Sequence, residues 1–199
     1  SSGYLWIAIG LALIASGIFL VVRPAGVIGL AAGVVLILLG AFVLAGLYML
    51  QPNEAAILLL FGAYTGTDRT EGLRWANPFY RKQKISLRAH NLASERLKVN
   101  DKRGNPIEVA AAIVWRVRDT AQASFDVDDY VQYVALQSET AIRHLTSAYP
   151  YDGAEHELSL RGATDEVNVH LQREVQDRLS RAGVDVIEAR FSHLAYAAE

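Results

Sequence analysis

Histidines and carboxylates are the side chains of this chain that suit acid–base or metal chemistry, but their spacing gives little support to either. Only the segment Glu155-His156-Glu157 gathers carboxylates beside a histidine, and such a loop trio is typical of solvated surface. Residues from distant segments can still meet in a fold, so a membrane-tethered hydrolase or metal enzyme using His156 or His170 stays as an alternative. The five histidines are His90, His144, His156, His170 and His193.

Motifs that carry catalysis are missing from the sequence. It contains no Gly-x-Ser-x-Gly elbow, His-Glu-x-x-His helix, phosphate-binding glycine loop or dinucleotide fingerprint. The absence of cysteine excludes thiolate catalysis, cysteine-bound zinc and disulfides. A net charge of −2 argues against nucleic-acid binding, which needs a concentrated basic surface. We therefore expect no enzyme activity, no cofactor and no nucleic-acid partner.

Two apolar segments at the start of the chain dominate its organisation. Residues 4–22 and 26–50 carry no charge, and each is long enough as a helix to cross the hydrocarbon core of a bilayer. Arg23-Pro24 interrupts the apolar run and favours a tight helical hairpin whose two ends lie on the same side of the membrane. A cleaved signal peptide is the competing interpretation of the first segment, but no small-x-small site lies directly before Arg23 and an equally apolar segment follows at once.

The remaining residues predict an α+β fold. Residues 54–61 and 107–117 have strand patterns, and Ile107, Val109, Ala111, Ile113, Trp115 and Val117 alternate along one face of the latter. Weaker strand signals occur at 84–88 and 92–99, a turn at 101–106, helices at 126–149 and 159–182, and a last strand at 184–194. We expect a transmembrane hairpin (1–50), a strand-rich membrane-proximal lobe (51–118) and an α/β lobe (119–199).

Aromatic and basic residues alternate shortly after the second apolar segment. Such side chains favour the headgroup region of a bilayer, where rings and cations both find partners. The alternative is that Trp75 and Phe79 are core side chains beneath a loop. The residues predicted to contact the membrane are Trp75, Phe79, Tyr80, Arg81 and Lys82.

Charged residues on the predicted 159–182 helix fall at a spacing of four, as Arg161 with Asp165 and Arg173 with Asp177. This spacing favours pairs within one helix. In a homo-oligomer, the same charges could instead meet the strand-rich lobe of the next subunit, including Arg116 and Arg118. If copies of the chain assemble, these six residues are the ones that we predict at the oligomer interface.

Six short segments in order resemble the SPFH or band-7 domain of stomatins, prohibitins and flotillins. The resemblance covers about residues 51–196, while the long charged helix that follows the domain in this family is missing after Glu199. The segments are Gln51-Pro52-Asn53-Glu54, 71–79, Asn100-Asp101-Lys102-Arg103-Gly104, 115–119, Ala141-Ile142-Arg143 and 182–186.

The resemblance implies a non-enzymatic membrane scaffold that assembles into large homo-oligomeric rings or cages and organises a membrane microdomain. The lipid bilayer and further copies of the chain are the expected partners. A regulatory subunit that restrains a membrane protease is the alternative. We expect an integral protein of the plasma (inner) membrane. Arg23 favours a cytoplasmic loop between the two spans, but the larger number of arginine and lysine residues between 69 and 88 favours the cytoplasmic side for the SPFH domain.

Overall fold

The computed structural model describes residues 2–23, 26–153 and 158–197. Its residues form two compact units, 1–86 and 87–199. The segment Glu155-His156-Glu157 lies outside the described residues. Within the described part, the fold is α+β, with two apolar helices followed by strands and then by helices and a strand, which confirms the predicted fold class.

The first unit begins with two antiparallel helices, α1 (Gly3–Val22) and α2 (Gly26–Ala45). Both are long and apolar enough to cross a membrane, with mean hydropathies of 2.6 and 2.9. The helices lie close together at Gly17 and Gly33, where a Cβ added to either glycine would lie 2.7 Å from the other's carbonyl oxygen. Gly10 and Gly40 meet in the same way, so the two backbones lie in direct contact.

The second helix ends five residues before the expected end at Leu50. Residues Leu47–Leu50 form strand β1, which pairs with β4 (Gly72–Trp75). Gly46 makes this change of direction possible, because a Cβ there would lie 2.5 Å from both Ala76 O and Trp75 Nε1. The backbone N–H of Ala76 also donates to Gly46 O at 3.1 Å, which holds β4 against the helix end.

A three-stranded antiparallel sheet completes the first unit. Its order is β3 (Ala63–Asp68), β2 (Glu54–Leu60) and β5 (Tyr80–Ser86). The predicted strand at 54–61 is thus confirmed to within one residue. The strand expected at 84–88 begins earlier, at Tyr80, because β5 pairs with β2 along its full length.

The second unit is built around the long strand β8 (Pro106–Val117), which confirms the strongest strand signal of the sequence. All six residues predicted on its apolar face are buried. The predicted strand at 92–99 is wrong in one respect, because it divides into β6 (His90–Ala93) and β7 (Leu97–Asn100) on the same edge of β8. Ser94 causes the division, since its hydroxyl accepts from Ala111 N at 2.8 Å.

Helices α3 (Thr120–Phe125), α4 (Tyr130–Ala148) and α5 (Thr164–Leu179) follow, then a 3₁₀ turn and β9 (Val184–Tyr196) on the other edge of β8. Asp129 caps α4 by accepting from two backbone N–H groups. The predicted start of the next helix at Ser159 is wrong, because the Ser159 hydroxyl accepts from Gly162 N and closes a turn before α5 begins.

Candidate membrane-facing site and candidate assembly surface

Two side chains from the strands cap the C-terminal end of α2. Trp75 Nε1 donates to Val43 O at 2.8 Å, and Lys82 Nζ donates to Gly46 O at 3.1 Å. The last carbonyls of a helix have no partner within the helix, and a cation suits the negative end of its dipole. Burial lowers the pKa of Lys82, which also lies over the Tyr48 ring at 5.2 Å. We call Trp75 and Lys82 the helix clamp.

The helix clamp also reaches the first helix. The Trp75 ring stacks on that of Trp6, with centroids 3.9 Å apart and planes at 13°. Trp6 lies in the first turn of α1 and Val43 in the last turn of α2, so Trp75 holds the two open ends of the hairpin together. Trp75 is half-buried by these contacts. Trp75 therefore packs against the hairpin, as a core side chain would, and also lies at the end of the apolar helices, where a membrane-interface residue is expected.

A half-buried polar cluster connects the strands next to the helix clamp. Asp68 accepts from Tyr48 Oη at 2.6 Å, from Arg74 Nε at 2.9 Å and from Thr70 N at 3.0 Å. Burial opposes the charged form of Asp68, but these hydrogen bonds and the Arg74 charge outweigh it and lower the pKa of Asp68 to about 2. Burial and the bond to Asp68 raise the pKa of Tyr48. The cluster thus joins β1, β3 and β4.

The other predicted membrane residues lie beside this end of the hairpin. Phe79 is 60% exposed, and its ring centroid lies 5.5 Å from that of Phe42 on α2. Tyr80 opens β5 opposite Leu60, and the exposed Arg81 stands opposite Leu59. The structure thus places all five predicted residues near one end of the hairpin. Sequence reasoning missed Trp6 and Phe42, although an aromatic residue near the end of an apolar segment is a recognised signal of a membrane interface.

The predicted assembly residues occupy two places in the second unit. Arg116 is exposed on β8, and Arg118 follows that strand and forms an ion pair with Asp185 at 3.3 Å. Asp165, Arg173 and Asp177 are exposed along one face of α5. Val169, which is 55% exposed, continues this face at the same spacing of four. We call residues 165, 169, 173 and 177 the α5 stripe.

The expected pairs within the last helix are wrong. Arg161 precedes α5 and pairs with Asp152 at 3.4 Å rather than with Asp165. In the described part of the chain, no ion pair joins Arg173 to Asp177, and the pair present on α5 is Glu174–Arg178 at 2.7 Å. The Arg173 and Asp177 side chains therefore remain available to a partner.

Two histidines of the second unit contact neighbouring polar side chains. His170 Nδ1 lies 2.6 Å from the Tyr149 hydroxyl, and His144 Nδ1 lies 3.2 Å from a Glu174 oxygen. Among the described residues, no group of three or more histidine and acidic side chains is arranged to hold a metal ion. The position of His156 lies outside this description.

Comparison with known proteins assigns the family. The SPFH domain / Band 7 family pattern matches residues 48–199, so the match begins in β1 and covers every later strand and helix of the described structure. Among curated proteins, none matches the chain. The family match covers most of the chain, and the chain therefore belongs to the SPFH domain / Band 7 family.

Proposed function

We propose that this chain is a non-enzymatic, integral-membrane scaffold that assembles laterally into large homo-oligomeric rings or cages and organises a membrane microdomain or its resident proteins. The SPFH / Band 7 family is generally non-enzymatic, which supports the first part of the proposal. The hairpin anchors each copy, and the strands and helices after it supply the contacts between copies.

The exposure pattern of the two apolar helices carries this proposal. The buried residues of α1 and α2 are all glycines, whereas most of their large apolar side chains are exposed. A water-soluble domain has the opposite arrangement, because exposed apolar surface of this extent causes association. Lipid tails cover such a surface without cost, and the close glycine contacts are those that membrane helices use to pack.

We propose that the SPFH domain lies on the cytoplasmic side of the plasma (inner) membrane. The arginine and lysine residues between 69 and 88 support this, since cytoplasmic segments near a span are enriched in these residues. A cysteine introduced at Ser2 or at Glu166, both exposed positions, should react with an impermeant thiol reagent only after the cells are permeabilised. Labelling of the Glu166→Cys chain in intact cells would reverse the assigned orientation.

The way a hairpin anchors the chain limits how its copies can assemble. A hairpin fixes the orientation of each copy across the membrane, so repeated contacts must form side by side and either close as a ring or continue as an open array. We propose that the α5 stripe of one copy meets the surface around Arg116 and Arg118 of the next. Each exposed charge pair contributes at most about 1 kcal/mol, so assembly depends on many repeated contacts.

In-membrane crosslinking tests this assembly. A photoreactive residue at Val169 on the α5 stripe should trap neighbouring copies as a ladder of sizes, whereas one at Val131 on α4, which is 50% exposed, should trap fewer. Asp177→Arg should shorten the ladder from position 169, because it places like charges against Arg116 and Arg118 of the next copy. Its combination with Arg116→Glu in the same chain should restore the ladder if residue 177 of one copy faces residue 116 of the next. A full-length protein that yields nothing larger than a dimer in native membranes would refute the scaffold.

A further inference from the structure

The turn between β2 and β3 has an unusual residue at its tip. Leu60 pairs with Ala63, so Phe61 and Gly62 form a two-residue hairpin loop. Both have positive φ, 49° and 90°, as a type I′ turn requires. Asn-Gly is the preferred pair in such a turn, and a bulky residue at positive φ is a genuine outlier. Folding alone therefore does not account for phenylalanine at this position.

The Phe61 side chain is also among the most exposed in the chain. It is 86% exposed, and the neighbouring Phe79 ring, 60% exposed, lies 6.2 Å from it between centroids. Strained backbone that carries no packed side chain is a mark of functional surface. Two adjacent exposed aromatic rings point to a partner that covers them.

The position of these rings identifies the partner as the bilayer. Phe79 lies 5.5 Å from Phe42, which is three residues before the end of α2 and hence about 4.5 Å inside that end at 1.5 Å per residue. The exposed rings therefore continue the apolar surface of α2 at the level of its last turn. Arg81, opposite Leu59 on the adjacent strand, is placed to reach headgroup phosphates.

We propose that Phe61 and Phe79 form a shallow aromatic wedge that inserts into the bilayer interface beside the last turn of α2. The proposal rests on the membrane-spanning hairpin of the proposed function. It adds the β2–β3 turn to helices α1 and α2 as a third segment that contacts the membrane. Apolar contact between the Phe61 ring and lipid offsets the backbone strain of phenylalanine at this turn. The wedge also fixes the depth of the strands relative to the hairpin.

Single cysteines labelled with an environment-sensitive dye test the wedge in the otherwise cysteine-free full chain, reconstituted in phosphatidylcholine–phosphatidylglycerol nanodiscs. Phe61→Cys is compared with Asn53→Cys, which is also exposed at positive φ but lies before the opposite end of β2. Leu38→Cys on the outer face of α2 reports insertion of the hairpin itself. We expect the dye at 61 to emit to the blue of the dye at 53. Its iodide quenching should be several-fold weaker, and quenching by nitroxides on lipid headgroups should be strong.

The outcomes separate the wedge from the anchor. Lipid quenching at 38 together with full iodide access at 61 would overturn the wedge alone, whereas water exposure at both positions would overturn the anchor. Protection of 61 from iodide without lipid quenching would assign the rings to a protein neighbour and overturn the wedge. Phe61→Asn removes the ring but suits the turn, so it should preserve the β2–β3 hairpin. Because the turn then loses its contact with the bilayer, amide hydrogen exchange at Gly62 and Ala63 should become faster in nanodiscs. Unchanged exchange would also refute the wedge.

Discussion

Replacing Asp101 by alanine is expected to cause the largest loss of stability in the second unit. This carboxylate is 5% exposed and accepts four hydrogen bonds, from Arg103 N, Asn105 N, Asn105 Nδ2 and Tyr151 N, at 2.8–3.0 Å. It thereby holds the β7–β8 turn and ties it to the segment that follows α4. Its removal leaves several donors unpaired, which should lower the free energy of unfolding by about 3 kcal/mol or more.

Urea unfolding of the second unit measures this loss. Trp115 is 3% exposed and reports on residues 87–199, provided that Trp6 and Trp75 of the first unit are replaced by phenylalanine. The matched control is Asp152→Ala, since Asp152 is exposed and pairs with Arg161 at 3.4 Å. This substitution should cost less than about 1 kcal/mol. Equal effects of the two alanine substitutions would show that Asp101 does not hold the turn.

Acid dependence provides a second readout of the same residue. Burial opposes the charge on Asp101, but the hydrogen bonds from Tyr151, Asn105 and Arg103 outweigh it and lower its pKa. Because the pKa of Asp101 is lower in the folded state than its unfolded value of about 3.9, the charged carboxylate stabilises the fold fully at pH values above the unfolded pKa. The stabilisation is lost as the pH falls through the folded pKa. Asp101→Asn should therefore flatten the acid limb of the unfolding profile, and an unchanged limb would contradict this.

Local sequence patterns predicted the elements whose contacts are local or periodic. The alternation of β8 and the presence of two apolar helices are visible within single windows of sequence, and both are confirmed, although the second helix is five residues shorter than expected. The bond from Tyr151 N to Asp101 joins residues fifty positions apart, and nothing in either segment indicates it. The apolar spacing predicts a helix from about Ser159 that includes Arg161, but the Ser159–Gly162 turn forms there instead.

The candidate site was predicted in part, for a related physical reason. Composition indicated aromatic and basic residues after the second helix, but only the fold brings Trp6 and Phe42 to them. Phe61-Gly62 carried a signal that sequence reasoning passed over, because Phe-Gly stands where a hairpin favours Asn-Gly. The sequence also shows a repeat of glycine every seven residues in each apolar segment. These glycines are Gly3, Gly10 and Gly17 in the first segment and Gly26, Gly33 and Gly40 in the second.

Leucine at Gly33 is expected to separate the two helices of the hairpin. A Cβ at this position would lie 2.7 Å from Gly17 O and 2.6 Å from a Val21 methyl carbon. Backbone cannot give way as a flexible side chain can, so the helices must move apart toward the usual axial separation of about 8–10 Å. Overpacking of this kind costs about 1–3 kcal/mol. Ala32→Leu is the matched control, because Ala32 is the preceding residue and is exposed on the outer face of α2.

Spin labels at Leu11 and Leu39, which are 55% and 48% exposed on the two helices, measure the separation in nanodiscs. Gly33→Leu should lengthen the distance between the labels, whereas Ala32→Leu should leave it as in the parent chain. The change should also reach the strands, because the Trp6–Trp75 stack needs the first turn of α1 and the last turn of α2 to stay together. With Trp115 replaced by phenylalanine, the emission of the stacked Trp6 and Trp75 should therefore shift in the Gly33→Leu chain alone. Equal distances in all three chains would show that the glycine contacts do not hold the hairpin.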